Sequence, residues 1–142
     1  MTPHSNADSA EAAFYRAFEL CDLQAMTRVW DDNPQSTCIH PGGPLLRGAE
    51  EVLQSWGEIF GQAKAPQVQY RLLQRLENDG LAIHTVEEAI RPGDGDAEPT
   101  LLIATNIYRR SDTGGWLMIA HHACLPMMGQ RQARGRSTHS VH

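Results

Sequence analysis

Histidines 40, 121 and 122 are the side chains of this sequence best suited to moving protons, because imidazole titrates near neutrality without help from its surroundings. His40 closes a short β-favouring stretch, directly before Pro41-Gly42-Gly43-Pro44. There it could shuttle a proton or donate to a carbonyl, or it could do no more than bond the neighbouring turn. His121 and His122 are adjacent in a strand-like segment, so their side chains must leave on opposite faces. Under strict alternation His122 shares a face with Trp116 and Met118, and His121 with Leu117 and Ile119. Alternation alone does not name the inner face; we assign it to His122, pair His122 with His40 as the catalytic candidates, and keep His121 as a ligand contact.

Tyr15, Trp30, Glu88 and Asn106 complete the candidate set. A tyrosine hydroxyl can donate to a developing oxyanion, and Trp30 can wall a pocket or fill a core. Glu88 shares a strand face with His84 and Val86 and is the nearest available carboxylate base. Asn106 could hydrogen-bond a ligand or satisfy a bulge. Asp31 and Asp32 read as caps and turn residues, or one of them orients His40. No ligand spacing close in sequence supports a metal site, and no phosphate loop or nucleophile elbow is present, so we expect neither metal nor cofactor.

The elements that must position these groups fall into two textures. In the first half, Phe14, Ala17, Phe18 and Cys21 repeat at i, i+3, i+4, i+7 and predict a helix over 11–21. Asp22 predicts the cap of a shorter helix over 23–30, which Pro34 closes off. A short strand over 35–40 and a brief return at 45–47 precede a third helix over 48–62, carrying Val52, Trp56, Ile59 and Phe60. From Pro66 the period drops to two. Val68, Tyr70 and Leu72 alternate with polar residues, and the doubled Leu72-Leu73 predicts a bulge. Asn78-Asp79-Gly80 predicts a hairpin turn; further strands follow over 81–91, 100–110 and 116–126. Three helices before an antiparallel meander indicate an α+β domain. Apolar residues on both faces of the third long strand predict a homodimer through the outer sheet face.

The 142 residues suit one domain, and 41% hydrophobic with 20% charged residues is ordinary for a globular chain. A net charge of −5 argues against a nucleic-acid partner, whose non-specific affinity depends on basic side chains. No apolar run reaches the roughly 20 residues of a membrane span, and the first residues do not resemble a signal peptide. Three widely spaced cysteines without a CxxC pair suit free thiols in a reducing cytoplasm. Residues 1–7 read as a flexible leader, 8–128 as the domain and 129–142 as a basic tail, frayed or docked on an acidic partner.

Several phrases, in this order, carry a resemblance: Val29-Trp30-Asp31-Asp32-Asn33-Pro34, Thr37-Cys38-Ile39-His40-Pro41-Gly42-Gly43-Pro44, and Arg47-Gly48-Ala49-Glu50-Glu51-Val52. Thr105-Asn106-Ile107-Tyr108-Arg109 and Gly115-Trp116 through His121-His122-Ala123 complete it. With them the chain resembles the nuclear transport factor 2-like superfamily, and within it the SnoaL-like bacterial proteins. The resemblance implies a cone-shaped fold with helices over a curved antiparallel sheet, a small-molecule pocket lined by Tyr15, Trp30 and His40, and usually a dimer. It spans isomerases, dehydratases, cyclases and association domains, so it implies no single activity. In ketosteroid isomerase a Tyr and a protonated Asp serve as the oxyanion hole beside a carboxylate base; here no inner-strand Asp is available for the base. Two readings stand: a cofactor-free isomerase, dehydratase or cyclase acting on a small, mostly apolar molecule, or a non-catalytic binding or association domain.

Overall fold

A computed structural model describes residues 4–62, 64–93 and 96–126. Residues 129–142, read as a basic tail, lie outside the described residues. Of the expected leader, His4 accepts a backbone hydrogen bond from Trp116 at 2.8 Å and Asn6 caps the first helix by accepting from Ser9 N at 2.7 Å. That helix, α1, runs Ala7–Leu20 and stops where Cys21 turns left-handed with φ 51°. Asp22 caps α2, Leu23–Val29, as its position suggested, by accepting from Ala25 N at 3.0 Å. Gly48, at φ 87° where a side chain would be strained, leads into α3, Ala49–Phe60.

The strands are β1 (Thr37–Ile39), β2 (Leu46–Arg47), β3 (Gln67–Asn78), β4 (Leu81–Arg91), β5 (Thr100–Arg110) and β6 (Trp116–Cys124). They form one sheet in the order β2-β1-β6-β5-β4-β3. β3 to β6 are the expected antiparallel meander. β1, however, lies parallel to β6, so the sheet is mixed rather than wholly antiparallel. The reason is topological: the chain reaches β1 from the helices and enters the sheet at the free edge of β6, running in the same direction.

The helices cover one face of this sheet. Phe14, Met26, Val29 and Val52 pack there on Val86, Tyr108 and Met118, with Trp56 at the centre of the helix layer. Two bulges interrupt the meander. In β3 the register passes from Leu72↔Val86 to Gln74↔Thr85, leaving Leu73 as the extra residue, where the doubled leucine predicted it. In β6 it passes from Ile107↔Ala120 to Tyr108↔Met118, leaving Ile119 extra. This second bulge decides which histidine faces inward. Trp116 and Met118 point to the helices; past Ile119 the alternation slips by one, and His121 and Ala123 take the inner face. The assignment of His122 to the interior is therefore corrected: His121 is buried and His122 lies half-buried on the other face.

Candidate functional site

On α1 the residues Glu11, Phe14, Tyr15 and Phe18 recur at i, i+3, i+4, i+7, so two polar groups ride on the stripe that the helix turns to the sheet. From the sheet, even-numbered residues of β4 and β5 point back at them: His84, Val86 and Glu88, then Asn106 and Tyr108. Asn106 stands directly opposite His121 in the register of β5 and β6. The result is a polar network inside an apolar core, made of Glu11, Tyr15, His84, Glu88, Asn106, Tyr108 and His121, none more than 3% exposed.

At one end Glu11 accepts three hydrogen bonds. They come from His84 Nδ1 at 3.0 Å, Asn106 Nδ2 at 3.2 Å and Tyr108 Oη at 2.8 Å. A carboxylate only accepts, so His84 carries its proton on Nδ1, and its Nε2 is left 3.9 Å from Asp8 Oδ1. At the other end Tyr15 Oη donates to Glu88 Oε2 at 2.5 Å. Having spent its proton there, the hydroxyl accepts from Asn106 Nδ2 at 2.9 Å. Both amide protons of Asn106 are then used, which turns its Oδ1 to His121 Nδ1 at 2.6 Å and makes His121 the donor. His121 Nε2 is left as a lone pair, 4.0 Å from Glu88 Oε2.

These surroundings set the ionisation of the second end. Burial pushes the Glu88 carboxyl up to about 7, the Glu11 charge adding to the shift and the Tyr15 hydrogen bond opposing it. Burial likewise pushes His121 down to about 3, helped by His40 and His122. Tyr15 is raised far above an ordinary phenol, first by burial and then by the Glu88 charge. Near neutral pH this end therefore holds a carboxyl balanced between its two forms, a neutral imidazole and a firmly protonated phenol. Such a carboxyl can take up a proton or give one away.

The remaining candidates lie around this pair. His40 Nε2 meets Ser55 Oγ at 2.9 Å, and because Ser55 Oγ donates to Val52 O at 2.6 Å, it is His40 that donates. Burial lowers the His40 pKa. The His40 and His121 rings both pack on Trp56, with centroids 4.8 and 5.9 Å away. Trp30 sits in the core beside Met118 and takes no part in the network; its Nε1 has no partner among the described residues. His122 bonds Thr37 Oγ1 at 3.0 Å and does not join His40 at a common interior site. Asp31 is bound to Arg109, not to His40. Cys38 is buried, its thiol pushed up to about 12 by burial, and is inert.

A cavity of about 400 Å³ lies between the ends of α1 and α3 and the start of β3, walled by Phe18, Ile59, Phe60, Pro66 and Ile90. Phe18 is one helical turn beyond Tyr15, and Ile90 is two residues beyond Glu88 on the same strand face. Tyr15 and Glu88 themselves are buried and are not among the residues that line this cavity. Glu11, His84, Tyr108, Ser55 and Trp56 went unread from the sequence as parts of this interior. The available signal for Glu11 was a carboxylate on the apolar stripe of its own helix.

A family model described as a SnoaL-like domain matches residues 8–128. A structure from Thiobacillus denitrificans, described as a proposed calcium/calmodulin-dependent protein kinase type II association domain, superposes with a TM-score of 0.84. It is 33% identical, over 89% of this chain and 100% of that one. A proposed dehydratase of the nuclear transport factor 2-like family from Streptomyces avermitilis gives 0.74 at 31% identity, over 83% and 91%. The F-box protein SKIP8 of Arabidopsis thaliana is 27% identical over 124 residues, 87% of this chain and 51% of that protein. The chain thus spans about half the length of this curated relative.

Proposed function

The chain belongs to the SnoaL-like domain family, and from that premise we propose that it binds a small, mostly apolar molecule in the mouth of the cone and acts on it without a cofactor, as an isomerase, dehydratase or cyclase. The observation that carries this reading is Glu88, a buried carboxyl raised to about 7 that has Tyr15 as its donor and stands two residues before Ile90 of the apolar cavity wall. A general base is most effective when its pKa lies near the working pH. In its ionised form Glu88 takes a proton from the carbon beside a carbonyl, and the C–H electron pair passes to the carbonyl oxygen as an enolate. Once Glu88 holds that proton, the Tyr15 O–H that had donated to the carboxylate turns to the enolate oxygen. Return of the proton from Glu88 to a different carbon completes an isomerisation. His40 borders the same interior from the α3 side through Trp56.

Proton NMR in D₂O on the full chain with a panel of enolisable ketones and esters tests the reading. The expected result is exchange of the α-proton by the wild type and a loss of at least about 100-fold in Glu88→Gln. Equal exchange by both proteins, or none by the wild type across the panel, overturns it.

A second reading, a non-catalytic association domain, draws on the likeness to the Thiobacillus denitrificans association domain. Half-buried Ile83, Ile103, Ile107 and Ile119 on the outer sheet face support a homodimer through that face. Light scattering of Ile107→Lys against the wild type checks it; an unchanged mass counts against the interface. Among the described residues no helix is long and apolar enough to cross a membrane. We assign the chain to the cytoplasm on the strength of three free cysteines, Cys21, Cys38 and Cys124.

A further inference from the structure

We infer that the ligand of the cone mouth is a small amphipathic carboxylate, its apolar body against the aromatic walls and its anionic head at Arg91. The inference rests on the reading of that mouth as the ligand site. The polar residues lining it are Gln62, Lys64, Arg91 and Thr100, and none of the described lining residues is acidic. In a chain of net charge −5 that local balance is unusual.

Arg91 differs from every other arginine of β3, β4 and β5. Arg71 is paired with Glu87, Arg75 with Asp8, Arg109 with Asp31 and Arg110 with Asp79. Arg91 has no carboxylate partner among the described residues, although Asp96 and Glu98 follow it closely in sequence. Arg91 is a half-buried residue that lines the cavity beside its apolar walls, and a guanidinium takes a carboxylate by two parallel hydrogen bonds at a lower hydration cost than an ammonium. The rim is also built rather than loose. A Cβ at Gly93 would come within 2.1 Å of Ala65 O, so the turn after β4 is pressed backbone to backbone on the segment entering β3. The cavity of about 400 Å³ is at the lower end of small-molecule sites. An anion held at the rim leaves the rest of its body against Phe18, Phe60 and Ile90.

Calorimetry on the full chain with octanoate, octanol and octylammonium tests the inference, using wild type, Arg91→Gln, Arg91→Lys and the cavity-filling Ile90→Trp. Circular dichroism establishes that each variant is folded. The expected result is that octanoate binds about tenfold or more tightly than octylammonium, and that R91Q loses about tenfold for octanoate but less than about twofold for octanol. R91K restores part of the loss, and added salt weakens octanoate alone. Octylammonium binding as tightly as octanoate, or R91Q affecting octanoate and octanol alike, overturns the anion. Octanol bound by the wild type, blocked by I90W, together with octanoate indifferent to Arg91, rejects the carboxylate and leaves the mouth as a ligand site. If none of the three binds the wild type, the inference and the reading it rests on fail together.

Discussion

Glu11 and Glu88 are carboxylates buried to almost the same degree in one hydrogen-bonded network, and their surroundings give them opposite tasks. Glu11 collects three donors from two strands, His84 on β4 and Asn106 and Tyr108 on β5. Glu88 has the Tyr15 hydroxyl on Oε2, and near that same oxygen, at 4.0 Å, the lone pair of His121 rather than a proton. Donors that aim at a carboxylate replace the water it gave up; without enough of them, burial favours the neutral acid. Glu11 therefore ties α1 to the sheet through three hydrogen bonds, whereas burial raises Glu88 to about 7. The number of donors, more than the depth of burial, separates the two carboxylates.

The largest effect expected from this contrast is on stability. Glu11→Leu leaves His84, Asn106 and Tyr108 with buried donors and no acceptor, and should cost about 3–5 kcal/mol in urea denaturation. Glu88→Leu orphans Tyr15 alone and removes a group that burial already disfavours, so its cost should stay below about 1.5 kcal/mol. Equal losses would erase the distinction between the two ends.

The pH dependence of stability gives the next test. Between its ordinary 4.5 and about 7 the folded chain keeps a proton on Glu88 that the unfolded chain has released, so Glu88 stabilises the fold at low pH and this contribution is lost as pH rises. His121 acts in the reverse sense. Between about 3 and 6.5 the unfolded chain holds a proton that folded His121 lacks, so stability grows as pH rises through that window. Where the windows overlap, from 4.5 to 6.5, the two slopes oppose, and the wild type should keep only the shallower rise from His40 and His4, which burial also lowers. Glu88→Gln should then gain stability with rising pH, by up to about 1.4 kcal/mol per unit, and His121→Gln should lose it. An E88Q profile no steeper than the wild type would contradict a neutral Glu88 in the fold. Tyr15→Phe removes the hydrogen bond that holds Glu88 down. Its falling limb should extend to higher pH than in the wild type, readable in the same denaturation series.

Much of this arrangement was legible in the residues, and the gaps have physical causes. His84, Val86 and Glu88 share a face because β4 alternates without interruption, and Leu73 announces its bulge by breaking a clear polar–apolar rhythm. The bulge at Ile119 lies within Leu117-Met118-Ile119-Ala120, where every residue is apolar and no change of polarity marks the slip. His121 and His122 were exchanged for that reason alone. Glu11 went unread because a carboxylate near a helix N-terminus ordinarily serves the helix dipole, and its partners lie 73 to 97 residues away. The parallel pairing of β1 is a tertiary choice that three residues, Thr37–Ile39, do not encode.

The smallest expected effect bears on that bulge. His121 is joined to the Glu88 end through Asn106, whereas its neighbour His122 bonds the Thr37 hydroxyl on the opposite face. His122→Ala removes a half-exposed hydrogen bond and should change stability by no more than about 0.5 kcal/mol. It should leave the pH profile of stability with the shape of the wild type, apart from a slight rise of the His121 limb's midpoint, since His122 is the last of the three causes lowering His121. His121→Ala, one residue away, should remove that limb altogether. If H122A abolished it instead, His122 and not His121 would be the inward residue, and the slip at Ile119 that gives Glu88 its neutral neighbour would be wrong.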